Sequence, residues 1–167
     1  MQDKELHSLR TMQVSARDNP GVIVFPPLIF ALCSILGVVF HAVFPIRVLA
    51  PVPARIAGVT LMCMAGCMAT WAQRVMKKAG TNIRPDKPAL AIVGSGPFRL
   101  TRNPMYVSLC LLQLGIALLI DGLMPLLLVI PLVLILHFGV ILREERYLEA
   151  KFGEPYLTYR SQVRRWL

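Results

Sequence analysis

Residues 96–106 read GPFRLTRNPMY and set two arginines, Arg99 and Arg102, between Pro97 and Pro104. A guanidinium is a planar fork of donors that matches carboxylates and phosphates, so this stretch has the chemistry to receive an anionic group. Asn103 adds a donor and an acceptor, and Tyr106 a hydroxyl. Further along, LREERYLEAKFGEPYLTYRSQVRRWL opens with a second cation, Arg143, followed by the carboxylates Glu144 and Glu145. Ionised acceptors make the stronger hydrogen bonds, so a carboxylate pair can hold a substrate hydroxyl. The plain alternatives are that the arginines anchor membrane topology and that the glutamates form a solvated helix face.

Other polar residues carry weaker signals. His137 stands inside an apolar run, where an ionisable group is a functional candidate by default; a neutral packing histidine is the alternative. His41 lies near the end of another run, and Gln113 reads as a hydrogen bond between helices. Gly94-Ser95-Gly96 reads as a tight turn. The four cysteines, Cys33, Cys63, Cys67 and Cys110, all fall in apolar runs, with no His, Asp or Glu beside the Cys63–Cys67 pair. They read as small packing residues, not as a metal site or a disulfide framework.

The elements that must position these residues are greasy. The chain is 56% hydrophobic and 16% charged, against about 45–50% and about 25% for soluble domains. Four runs lack charge: Gly21–Ile46, Ile56–Gln73, Asn103–Ile120 and Gly122–Leu142. A spanning helix needs roughly 20 apolar residues, with a range of about 17–25, so the expectation is an all-α integral membrane protein with about four transmembrane helices. The first run is too long for a signal-peptide core and follows Asp3, Glu5 and Asp18. Cytoplasmic loops carry the excess of Lys and Arg. With both termini inside, sixteen of the eighteen lysines and arginines fall on the cytoplasmic side. The net charge of +9 is thus a membrane signature, with the bilayer as partner and no nucleic acid.

Three pieces follow: a cytoplasmic N-terminal segment, residues 1–20; two spans within residues 21–73; and a core of residues 74–167 with a transmembrane hairpin at residues 103–142. Asp121-Gly122 makes a tight turn, so the last two spans form an antiparallel hairpin. Their inner ends must meet, which brings GPFRLTRNPMY to REERYL. The loop of residues 74–102 is long for so small a chain, and long ordered loops tend to be functional. Beyond Gly153 and Pro155, Tyr156, Tyr159, Val163 and Trp166 recur at helical spacing, which predicts an interfacial amphipathic helix with its aromatic residues at headgroup depth. No internal repeat of the transporter kind is present.

The pattern GPFRLTRNPMY, hairpin, EERYLEAKFGEPYLTYRSQV resembles the isoprenylcysteine carboxyl methyltransferase family of integral-membrane enzymes, and phospholipid methyltransferases are similar over the same residues, 89–163. The resemblance implies a methyltransferase that uses S-adenosylmethionine and releases S-adenosylhomocysteine, with the cofactor in a cytoplasm-facing pocket under loop and tail. Carried over, Leu90, Ala91, Ile92, Val93 and Phe98 line the cofactor, and Asn103, Pro104, Met105, Tyr106 and Glu144 hold it. Arg102 and Glu145 stand at the methyl-transfer centre, and Arg99 and Arg143 face the substrate. The implied acceptor is lipophilic or small; carboxyl O-methylation is the first expectation, and N- or S-methylation stays open. A non-catalytic scaffold or lipid-binding protein is the alternative. Two positions depart from the family: Asn103 replaces its histidine and cannot transfer a proton, and Val140 stands where eukaryotic members carry an arginine. The short chain resembles a compact microbial member of an inner membrane.

Overall fold

The computed structural model describes residues 19–167. The expected N-terminal segment, residues 1–20, lies outside the described residues apart from Asn19 and Pro20. Five helices hold the described chain: α1, Pro26–Val43; α2, Pro51–Lys78; α3, Pro104–Leu119; α4, Leu123–Phe152; and α5, Glu154–Gln162. No strand occurs among the described residues. Prolines open α1, α2 and α3, where the missing N–H costs nothing and the fixed φ suits the first turn.

α1, α2 and α4 are long and apolar enough to cross a membrane, whereas α3 has 16 residues. At 1.5 Å per residue α3 covers about 24 Å, less than a hydrocarbon core of about 30 Å. The expected four spans are therefore three full-length candidates and one shorter apolar helix. The reason is local: Asn103 precedes the helix instead of continuing it, and the chain turns at Asp121. α2 does the opposite and extends beyond its expected limits at both ends, which leaves a connecting loop of residues 79–103.

The core lies between α1, α3 and α4, around Ile29, Cys33, Tyr106, Leu132, Leu136 and Val140. The outward faces keep Leu28, Leu32, Ile35, Val52, Ile56 and Phe138 exposed, an apolar surface suited to lipid. Cys33 packs as expected, but Cys63 and Cys67 face outward on α2.

α2 and α3 approach closely because both present glycine at the crossing. A Cβ at Gly58 would stand 2.6 Å from the Leu119 backbone nitrogen, and one at Gly115 2.9 Å from the Gly58 carbonyl oxygen. Small residues drive such contacts where lipid offers no hydrophobic force between helices. Gln113, fully buried, joins three helices: Ser34 donates to its Oε1 at 2.6 Å, and its Nε2 donates to the Pro125 carbonyl at 3.2 Å. This is the helix–helix bond expected from the sequence.

The turn between α3 and α4 rests on Asp121, at φ 52, a left-handed conformation Asp tolerates better than most residues. Its Oδ1 accepts from the Leu49 N–H at 2.9 Å and the Val48 N–H at 3.0 Å, which pins the α1–α2 loop to the hairpin. These two bonds lower the carboxyl pKa.

Two outcomes follow for stability. Gly58→Ala should cost about 1–3 kcal/mol, the usual range for overpacking, measured as an earlier midpoint of SDS-induced unfolding. Asp121 has its pKa lowered by folding, so its contribution is present above the unfolded value of about 3.9 and is lost as pH falls through the folded value. Asp121→Asn should therefore lower the thermal midpoint at pH 7, and the gap from the parent should shrink in the acid range below about pH 4.

Candidate active site

The loop from α2 to α3 is fastened at many points. After α2, Gly80 at φ +70 lets the Thr81 N–H reach back to the Met76 carbonyl at 3.2 Å. The Thr81 hydroxyl then accepts from the Leu90 N–H at 3.0 Å, Asn82 Nδ2 donates to the Pro88 carbonyl at 2.8 Å, and the Ala89 N–H donates to the Tyr147 hydroxyl at 3.2 Å. So the loop closes on itself and on α4. Gly96, at φ +59, brings the 3-10 turn Gly96–Arg99 against α2; a Cβ there would lie 3.0 Å from Trp71 Nε1. The Gly-Ser-Gly stretch is a turn, as read. The Tyr159 hydroxyl donates to the Phe98 carbonyl at 2.8 Å and holds the turn from the other side.

The hairpin brings the two charged segments together. Arg102 Nη2 donates to Glu145 Oε1 at 2.7 Å, with both side chains buried. Arg165 reaches the same carboxylate from the tail, Nε to Oε1 at 3.0 Å and Nη2 to Oε2 at 2.7 Å. Arg102 Nη1 donates to the Arg160 carbonyl at 2.8 Å, while its Nε, shut off from solvent, has no acceptor. The neighbouring Glu144 has a different environment. Its Oε1 accepts from the Tyr106 hydroxyl at 2.7 Å. The adjacent glutamates thus separate into one neutralised by arginines and one held by a phenol.

Two cavities lie against this cluster. The first, about 140 Å³, is lined by Ala91, Ile92, Val93, Tyr147, Tyr156 and Tyr159 together with Arg102, Asn103, Glu144 and Glu145. The second, about 380 Å³, is lined by Phe25 to Pro27 of the α1 start, Ala69 and Gln73 of α2, and Pro104, Met105 and Tyr106 of α3. Phe98, Arg102, Asn103 and Glu144 border both. Burial pushes the Tyr156 pKa up to about 12, so its phenol is a neutral hydrogen-bond donor at pH 7.

A match to the phospholipid methyltransferase family model covers residues 53–155, more than half of the chain. The chain belongs to that family. It is also similar to a protein of Haemophilus influenzae described as uncharacterized, with 44% identity over 63 residues, which is 38% of this chain and 100% of the other. No solved structure matches it. Family and apolar helices together make this phospholipid methyltransferase relative an integral membrane protein. The matched residues take in α2, the loop, α3 and α4, and stop before Tyr156; α1 and most of α5 and the tail lie outside.

The structure gathers most of the residues singled out in the sequence, but not all. Ala91, Ile92, Val93, Phe98, Asn103 and Glu144 line the first cavity, while Pro104, Met105 and Tyr106 line the second. Leu90 lines neither; its N–H is tied to Thr81 and it is exposed. Arg99 is exposed and also lines neither. Arg143 turns away, with Nη1 donating to the Gly21 carbonyl at 3.2 Å. Glu145 has both oxygens committed to arginines. His137 accepts at Nδ1 from Trp166 Nε1 at 3.2 Å, which is the packing role.

The tail departs from the expected interfacial helix. α5 ends at Gln162, and Val163 is extended at φ −123 and ψ 134. Tyr156 is buried against protein, and Trp166, beyond the end of α5, packs on His137. The chain past α5 crosses the loop: the Arg102 N–H donates to the Arg164 carbonyl at 2.9 Å, and Thr101 Oγ1 and Asn103 Nδ2 donate to that of Arg165 at 3.1 and 2.9 Å. Arg165, Tyr147 and Thr81 were not singled out in the sequence. Tyr147 could have been, since it shares the EERY stretch with the glutamates; nothing marks Arg165 among the other tail cations.

Tyr159→Phe removes the anchor of the Phe98 carbonyl and should cost about 0.5–1.5 kcal/mol. Amide hydrogen exchange of residues 98–103 should accelerate while that of the α2–α3 crossing stays unchanged.

Proposed function

We propose that this protein is a membrane methyltransferase dependent on S-adenosylmethionine, acting on a lipophilic acceptor at the cytoplasmic surface, with both termini on that side. The observation that carries the reading is the wall shared by the two cavities, which includes Phe98, Arg102, Asn103 and Glu144. It offers one compartment for a polar cofactor and one, reaching between the start of α1 and α2, for an apolar chain.

The residues present fit the cofactor. It carries charges of both signs, and the wall supplies both: Arg102 keeps a buried Nε without an acceptor, and Glu144 has a carboxylate held only by the Tyr106 phenol among its described partners. Ala91, Ile92, Val93 and Phe98 would hold its apolar parts, Glu144 its hydroxyls, and Asn103 a polar edge. When bound, it supplies a methyl group on a sulfonium. The chain's own contribution is positioning, which can be worth roughly 7–11 kcal/mol, and exclusion of water by loop and tail. Glu145 serves in this scheme by holding Arg102, not by moving a proton.

For the acceptor we take a carboxylate on an isoprenylcysteine-like or other lipophilic chain, which would reach the shared wall through the second cavity; such a nucleophile needs no base. A second reading is an amine acceptor. It is favoured by Glu144, which borders both cavities with no described cation partner and could take the proton that an ammonium must lose.

Calorimetric titration of the detergent-solubilised protein with S-adenosylhomocysteine tests the cofactor site. Binding by the parent should weaken about tenfold or more in Glu144→Ala, the size of a lost charged hydrogen bond, and also in Tyr106→Phe. If both variants bind like the parent, the site is wrong. Absence of binding by folded parent would favour a scaffold or lipid-binding role.

A further inference from the structure

Arg165 holds Glu145 with two prongs, Nε to Oε1 at 3.0 Å and Nη2 to Oε2 at 2.7 Å. Arg102 has a single prong on the same group, Nη2 to Oε1 at 2.7 Å. Carboxylates favour the two-pronged grip of a guanidinium, and Glu145 gives that grip to the tail. Arg102 consequently keeps its Nε uncommitted, and Arg102 borders both cavities. Without Arg165, Glu145 would stay buried with Arg102 as its one described cation. A buried charge that loses a partner is costly, and the remaining guanidinium would turn to grip both oxygens, which uses up its Nε.

We propose that Arg165 is a positioning residue for ligand binding: by occupying Glu145 it leaves Arg102 free to receive an anionic group, such as a carboxylate, in the cavities. The inference rests on the S-adenosylmethionine reading above. Arg165 lies outside the segment that the family model matches. The tail has anchors other than this side chain: the Arg164 and Arg165 carbonyls accept from residues 101–103, and Trp166 donates to His137. Replacing the Arg165 side chain therefore leaves the tail a means of staying in place.

The test is a double-mutant cycle. The full chain in detergent is titrated with S-adenosylhomocysteine, which carries a carboxylate, as parent, Arg165→Ala, Glu145→Gln and the pair combined. Arg165→Ala should weaken binding about tenfold or more. The combined variant should regain most of that loss, because the neutral amide that Glu145→Gln introduces no longer draws Arg102 away. A residue that merely strapped the tail down would not be rescued in this way. Should Arg165→Ala fail to fold, Arg165→Lys replaces it; its point-like ammonium cannot grip both oxygens, so it should bind more weakly than the parent and likewise be rescued by Glu145→Gln. Parent-like binding by the Arg165 variant, or a combined variant no better than Arg165→Ala, overturns the inference and leaves the cofactor reading standing. No binding by folded parent overturns the cofactor reading, and the inference with it.

Discussion

The charge cluster Arg102–Glu145–Arg165 is the constraint on which the site depends. Glu145 and Arg102 are both more than nine-tenths buried, and removing such charges from water costs several kcal/mol per ion even after relaxation. That cost is tolerable only if the hydrogen bonds are complete, and for Glu145 they are. Completing them requires three separate pieces of chain: the end of the α2–α3 loop, the last turns of α4 and the tail. The cluster therefore specifies where loop and tail lie, although a buried ion pair is seldom a net source of stability.

The helices supply the fixed frame for that cluster. Glycine at 58 and 115 lets α2 and α3 approach backbone to backbone, while Gln113 and Asp121 tie α1 and its following loop to the hairpin. These fastenings lie within and beyond the helices, apart from the Arg102–Glu145–Arg165 cluster. Residues 79–103 and 154–167 close the cavities over these helices and are fastened to them and to one another by hydrogen bonds. A rigid apolar frame with a hydrogen-bonded polar cap suits the proposed use, in which one aqueous and one lipophilic molecule would enter.

How much of this the sequence discloses depends on the kind of force involved. The meeting of GPFRLTRNPMY with REERYL was legible because it follows from connectivity: two apolar runs joined by Asp121-Gly122 have no other way to fold. The contrast between Glu144 and Glu145 was not, since it depends on which face of α4 each occupies after the π-helical turn at Leu136–Ile141, and nothing in LHFGVI announces such a turn. The tail departs from its sequence pattern for a related reason. Aromatic residues at helical spacing look the same whether they face lipid or protein, and Tyr156 and Tyr159 face the loop. Arg165 stayed invisible because its partner is 20 residues away and its role depends on an extended return of the chain.

Asn103 shows how a departure in sequence acquires meaning from its surroundings. A histidine at that position could have carried a proton. Asn103 instead spends its side-chain N–H on the Arg165 carbonyl at 2.9 Å, and its backbone N–H goes to the Thr101 hydroxyl at 3.2 Å. It thus fixes the start of α3 to the tail, next to Arg102, which borders both cavities. Proton transfer, if the acceptor is an amine, then falls to a group that is held in place yet not neutralised. Glu144 meets that description, because the Tyr106 phenol orients it and no arginine is among its described partners. Glu145, gripped by two guanidiniums, does not. In the proposed scheme the division between the two glutamates is also a division of labour: one is occupied by guanidiniums, and the other is left with acceptor capacity that a ligand could use.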